Sequence, residues 1–165
     1  MPNNILKIHN IPKIDHILTN NVNDEYIKIP DNFTSLESWP KRCNHSCYVC
    51  TNPIIYLPLF VPASIDFENG VIERLGKILF CSPSCMFYHI ATLQHNREIY
   101  MRYARELIRR VSNIPIHKQS CDPSEDRSVL CEYGGTITRR DFREMIYLKN
   151  KEYFDILIPL IELGR

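Results

Sequence analysis

Hydrophobic and polar positions divide the chain into four stretches. The first is polar and Asn-rich, with Ile5, Ile8, Ile11, Ile14 and Ile17 at every third position. Pro12 interrupts any helix these isoleucines would share. Residues 1–38 are therefore expected to form an arm that packs on the domain or docks a partner. Residues 54–61 are rich in β formers, and Pro58 splits that run or confines it to an edge. Residues 64–68 and 71–75 both alternate, and Asn69-Gly70 lies between them. That dipeptide supplies the positive φ angles of a type I′ turn, so a hairpin is expected. Residues 77–80 read as a further short strand. Ser82 is a good N-cap and Pro83 suits the first helical position, which predicts a helix from Pro83 to about Gln94.

The clearest helical period lies in residues 96–112. Tyr100, Tyr103, Ala104, Leu107, Ile108 and Val111 make one apolar stripe. Asn96 is the expected cap, and Asn113 and Pro115 end the helix. Beyond it, Glu132-Tyr133-Gly134-Gly135 reads as a turn. Thr138 can cap a helix with Asp141 three residues on, and Phe142, Met145 and Ile146 give that helix a buried side. Residues 153–163 form another apolar segment, kinked or ended by Pro159. The pattern predicts one α+β domain. Residues 1–38 are the arm, 39–95 a cysteine-bearing module, 96–150 the helical part of the same domain, and 151–165 a C-terminal apolar segment.

Composition sets the bounds. A chain of 165 residues can bury about 70% of its unfolded surface, so its stability need not rest on a metal alone. Lys plus Arg is 20, Asp plus Glu is 19, and the net charge of +1 excludes a histone-like protein. A local basic face remains compatible with that balance. No apolar run approaches a membrane span, and residues 1–4 do not open a secretory signal. Abundant Ile and Asn with few Gly and Ala are in keeping with an A+T-rich genome. Seven cysteines, an odd number, argue for a reducing compartment in which Cys serves as metal ligand or buried thiol.

Cysteine spacing carries the strongest chemistry. Cys47-Tyr48-Val49-Cys50 is followed by Cys81-Ser82-Pro83-Ser84-Cys85. A Cys-x2-Cys turn converges two thiolates on one ion, and a second pair at a helix start completes a tetrahedron. Free N–H groups at that helix start favour thiolates. Four sulfurs leave no open position, so one structural Zn2+ is expected on Cys47, Cys50, Cys81 and Cys85. Four cysteines also suit an iron–sulfur cluster, but a β-rich insert closed by a capped helix fits zinc better. Cys43 and His45 lie close enough in sequence to replace a ligand. Cys121, Cys131 and His117 do not have a recognised zinc spacing, and His89 and His95 read as packing or surface residues.

These residues resemble a family. Phe80-Cys81-Ser82-x-x-Cys85, preceded by Cys47-x-x-Cys50 and by Phe60-Val61-Pro62, looks like the FCS-type (MYM-like) zinc finger. With Trp39 upstream, Leu59-Phe60-Val61-Pro62, and Glu132-Tyr133-Gly134-Gly135 downstream, it is similar to the viral late transcription factor 2 family of nucleocytoplasmic large DNA viruses. The resemblance covers roughly residues 37–145. It implies a β-hairpin-rich finger followed by helices, with zinc on the same four cysteines. It further implies a factor for late viral genes, acting in viral factories of the host cytoplasm; the virus particle is the second location considered. Its partners would be viral RNA polymerase and other late transcription factors; contact with promoter DNA rests on the chain's own basic residues.

Arginines offer an electrostatic face for that last partner. Arg102, Arg105 and Arg109 share one side of the 96–112 helix, and Arg139, Arg140 and Arg143 begin the next. Glu98 can pair with Arg102, Glu106 with Arg110 and Arg140 with Glu144 at i,i+4 spacing. Arg105 and Arg109 have no such partner, which makes them the stronger phosphate candidates, with Arg102, Arg139 and Arg143 in support. Backbone binding without base readout, or binding to an acidic protein partner, is the expectation. The alternative is a zinc-dependent adaptor or structural protein that docks other proteins and does not touch DNA. No His-x-Glu, His-Glu-x-x-His, phosphate-cradling glycine loop or Gly-x-Ser-x-Gly is present, so no enzymatic activity, no small-molecule substrate and no membrane partner are expected.

Overall fold

The alternating stretches pair as expected, and the arm joins them. In the computed structural model, which describes residues 26–163, the sheet contains β1 (Asn32–Phe33), β2 (Pro62–Asp66) and β3 (Val71–Arg74). Their order is β1-β3-β2, and both pairings are antiparallel. The five regularly spaced isoleucines lie outside the described residues. From residue 26 onward the arm is part of the core: Ile29 and Phe33 are buried. The Arg74 guanidinium, itself buried, donates to the Ile29 carbonyl at 3.3 Å.

The hairpin turn differs from the type I′ expectation. Gly70 alone takes a positive φ, of 73°, and the loop spans residues 67–70. Its N–H donates to the Asp66 carbonyl at 2.8 Å. The Asp66 carboxylate accepts from the Glu68 and Asn69 amides at 3.0 and 3.1 Å and from the Asn69 side chain at 2.7 Å. An aspartate that satisfies the turn's amides makes the four-residue loop the better solution. The run at 54–61 forms no strand. Leu59 makes one bridge to Phe80, because Pro53 and Pro58 lack the donors a ladder needs. Its side chains are buried all the same: Ile54, Leu57, Leu59, Phe60 and Val61 all belong to the core. Trp39 lies against Phe33 and Phe60 and donates to the Pro58 carbonyl at 3.0 Å.

Four α-helices follow among the described residues. They are α1 (Pro83–Thr92), α2 (Arg97–Ser112), α3 (Arg139–Lys149) and α4 (Lys151–Leu163). Ser82 caps α1 by accepting from the Cys85 amide at 3.3 Å, as expected for Ser before Pro. Thr138 caps α3 from the Asp141 amide at 3.1 Å. Asn96 does not cap α2 with its side chain. It sits in the left-handed region at φ 61°, and its carbonyl accepts from Tyr100 instead. Pro159 lies inside α4 without ending it. Ala104, Leu107, Ile108 and Val111 bury the expected stripe of α2, which packs on α1 and β2. Each fully buried Leu or Phe of this core contributes about 1.5–3 kcal/mol.

Candidate metal centre

The first cysteine pair sits on a tight knuckle. Ser46 bridges Pro53, the Cys47 amide donates to the Asn52 carbonyl at 2.8 Å, and the Thr51 amide donates to the Cys47 carbonyl at 2.9 Å. The turn forces Thr51 to φ 63°, a costly conformation for a β-branched residue. The second pair enters from the Leu59–Phe80 bridge and ends on the first turn of α1. The Tyr48 amide donates to the Leu79 carbonyl at 3.0 Å, which sets the knuckle against the second pair.

These elements bring the Cys47, Cys50, Cys81 and Cys85 sulfurs within 4.8 Å of one another. Cys50–Cys81 is 3.6 Å and Cys81–Cys85 is 3.7 Å. A tetrahedral ion with Zn–S bonds of about 2.3 Å needs an edge of about 3.8 Å. The cluster therefore fits one four-coordinate metal ion, and all four thiols are free of disulfides. Electrostatics supports the same reading. Contact with Cys47 and Cys50, aided by burial, pushes the Cys81 and Cys85 thiols up. Burial opposes ionisation of Cys47 as well, but hydrogen bonds from the other three hold its thiol low. Ionisation at Cys47 therefore opposes ionisation of Cys81 and Cys85. A divalent cation is what lets all four ionise.

Two side chains from α3 hold the two pairs. Arg139, the first residue of α3, donates to Asn52 Oδ1 at 2.8 Å and to Thr51 Oγ1 at 3.0 Å. Its other edge forms a two-bond pair with Glu132, both at 2.7 Å. Hydrogen bonding to Glu132 raises its guanidinium above the ordinary value, and charge on Cys50 acts the same way. Asn150, at the other end of α3, caps the second pair. Its Oδ1 accepts from the Ser84 amide at 3.1 Å and its Nδ2 donates to Ser84 Oγ at 2.8 Å. The segment between α2 and α3 adds a third tie, since Arg127 donates to the Tyr48 carbonyl. Ser124 donates its amide to the Ser84 carbonyl at 3.0 Å. Burial pushes the Tyr153 phenol up, and charge on Cys81 acts in the same direction. Its hydroxyl has no hydrogen-bond partner.

The remaining candidates have other places. Cys43 is buried with its sulfur 4.0 Å from the Ile54 carbonyl. The His45 ring contacts the Ile27 carbonyl at 2.9 Å. Neither belongs to the cluster, and neither do Cys121 and Cys131. His89 packs against Tyr48 and Phe80.

The arginine expectations need correction in their pairing. Arg109 does have an acidic partner on its own helix: it forms a two-bond pair with Glu106 at 2.9 and 2.5 Å. Glu106 lies three residues back, a spacing equivalent to four for a long side chain. Arg110 shares the same carboxylate, as expected. Arg105 donates to the Ile116 carbonyl at 2.7 Å. The Glu98–Arg102 pair does not form, and Arg102 is exposed. Arg143 lines an apolar groove beside Cys81, with Tyr56, Ile146, Tyr147 and Phe154. Sequence reasoning missed Arg139 and Asn150 as ties to the metal site. Asn150 is legible as a helix end, but its partner is 66 residues away.

Comparison with known proteins gives one viral relative. The chain is 24% identical, over 172 aligned residues, to an uncharacterized protein of Acanthamoeba polyphaga mimivirus. The alignment covers 99% of this chain and 46% of that protein, so the chain spans less than half the length of its relative. No family model matches the chain, and no solved structure matches it. The likeness to viral late transcription factor 2 thus rests on the motif residues alone.

Proposed function

We propose that this chain is a zinc-structured binding module of a large DNA virus, acting in late-gene transcription. One observation carries the binding-module reading: the four-cysteine cluster is closed and is tied to the core at both pairs, by Arg139 and by Asn150. A tetrahedral ion on four thiolates offers no position to a substrate. The ion's role is to fix the shape of the surface around it, and no catalysis is assigned. Zinc is the metal, since all-sulfur tetrahedral sites select zinc or iron–sulfur and a single ion fits this spacing.

The viral setting draws support from the mimivirus relative. The late-transcription role draws on the Phe80-Cys81-Ser82-x-x-Cys85 motif and its flanking residues. The expected partners are viral RNA polymerase and other late factors, in the viral factories of the host cytoplasm. Protein contact is favoured at α3, because Arg139 spends its donors inside the fold. Promoter DNA remains a partner for the arginines that stay free.

The test is a tagged pull-down from infected cells with nuclease treatment, read by mass spectrometry. Polymerase subunits and late factors retained after nuclease support the reading. Recovery of capsid or unrelated proteins alone sinks it in favour of an adaptor outside transcription.

A further inference from the structure

A basic cavity lies where α1 ends and α2 begins. It has a volume of about 500 Å³. Arg97, Arg102 and Arg105 line it, against a single carboxylate, Glu98, and Met101 and Ile116 supply apolar wall. Glu98, Met101, Arg102 and Arg105 follow i, i+3, i+4, i+7 spacing, so one face of α2 presents them together. Arg102 is exposed and has no partner among the described residues. Arg105 is anchored through Nη2 to the Ile116 carbonyl at 2.7 Å. Its Nε is buried with no hydrogen-bond partner. The hold on Arg97 is weak, a 3.5 Å contact to the Ala91 carbonyl.

Three guanidiniums beside one carboxylate leave a surplus of two positive charges in a cleft with apolar walls. Low-dielectric walls focus that field toward solvent. A guanidinium fork matches the paired oxygens of a phosphate. No aromatic side chain lines the cleft, so a base would find no stacking surface there.

We propose that the Arg97–Arg102–Arg105 cleft binds the phosphodiester backbone of a nucleic acid without reading its bases. The choice of a nucleic acid over an acidic peptide rests on the transcription reading above. Of the arginines singled out from sequence, Arg102 and Arg105 belong to this site. Arg109 and Arg139 are committed inside the fold, Arg143 lies at the other groove, and Arg97 joins the set.

Fluorescence anisotropy with a labelled oligonucleotide, single-stranded and duplex, tests the site on the full chain. Binding is expected for both forms, falling steeply between about 50 and about 200 mM salt. Arg102→Glu should weaken binding about tenfold and lower the salt slope by about one. Arg97→Glu should act in the same direction. Arg102 holds nothing in the fold, so the variant should keep the circular dichroism and Trp39 fluorescence of the parent. An oligonucleotide with a neutral methylphosphonate backbone should not bind. The proposal is overturned by equal binding of the neutral backbone, by unchanged affinity in both variants, or by an equal loss in Arg140→Glu on α3. Displacement of the oligonucleotide by polyglutamate at equal charge would overturn the nucleic-acid assignment. Absence of polymerase from the pull-down both with and without nuclease, with oligonucleotide binding intact, would sink the transcription reading and leave the cleft standing.

Discussion

Replacing Arg139 with alanine removes the tie between α3 and the Cys47–Cys50 knuckle. Two bonds are lost to the knuckle, to Asn52 Oδ1 at 2.8 Å and to Thr51 Oγ1 at 3.0 Å. Hydrogen bonds with a charged donor contribute about 1.5–3 kcal/mol each when shielded. The Arg139 side chain is 25% exposed, so the lower end applies. Asn52 is 3% exposed, and its oxygen would be left buried and unsatisfied. Glu132 is solvated and is left out of the sum. The expected loss is about 2–3 kcal/mol, which for a chain of this size lowers Tm by about 5–10 °C. Thr51 sits in a strained conformation that these bonds help to hold, so the knuckle should loosen in particular. About 2 kcal/mol at one ligand pair is about thirtyfold in metal affinity. Thermal unfolding followed by Trp39 fluorescence reads the first effect, and competition with a coloured chelator reads the second. Arg140→Ala is the control, because that side chain is 82% exposed. A Tm within about 1 °C of the parent and an unchanged chelator midpoint would refute the tie.

Three further outcomes are expected. Cys47→Ser or Cys85→Ser should lose the metal and unfold the finger, since such a site contributes on the order of 10 kcal/mol; full metal content and an unchanged fold in both would refute the four-cysteine site. Hydrogen bonding from Arg109 holds the Glu106 carboxyl below its ordinary value, with Arg110 adding to it. Its contribution is therefore present above the unfolded pKa and is lost as pH falls through the folded one. Glu106→Gln should cost on the order of 1 kcal/mol near neutral pH, after discounting for solvent screening. The Tm gap to the parent should close as pH drops through the acid range, and a constant gap would count against the pairing. In Gly135→Ala the new Cβ would stand 2.0 Å from the Val129 carbonyl oxygen. That backbone contact cannot swing away, so a loss of about 2–3 kcal/mol is expected in denaturant unfolding.

Much of the metal site was legible in the sequence because its determinants are local. Ligand pairs three and four residues apart, a serine before a proline, and a helix start are each read within a few positions. The same holds for the α2 stripe and for the caps Ser82 and Thr138, where one side chain serves an amide three residues on. Local rules failed where two local solutions compete. Asp66 satisfied the hairpin amides and displaced the two-residue turn, and prolines stripped the 54–61 run of its ladder while leaving its burial intact.

Tertiary structure alone decided which charged and polar groups were free. Glu106 could serve Arg109 at three residues or Arg110 at four, and the fold let one carboxylate take both. Glu98 and Arg102 had ideal spacing and did not pair. Arg139 found Thr51 and Asn52, and Asn150 found Ser84, across more than sixty residues. The physical reason is that helix periodicity fixes which side chains share a face, whereas a long polar side chain goes to the partner that packing brings within hydrogen-bond reach. Sequence thus determined where a metal ion can be held, and the packing of α3 and α2 determined what braces that cluster and which arginines still face solvent.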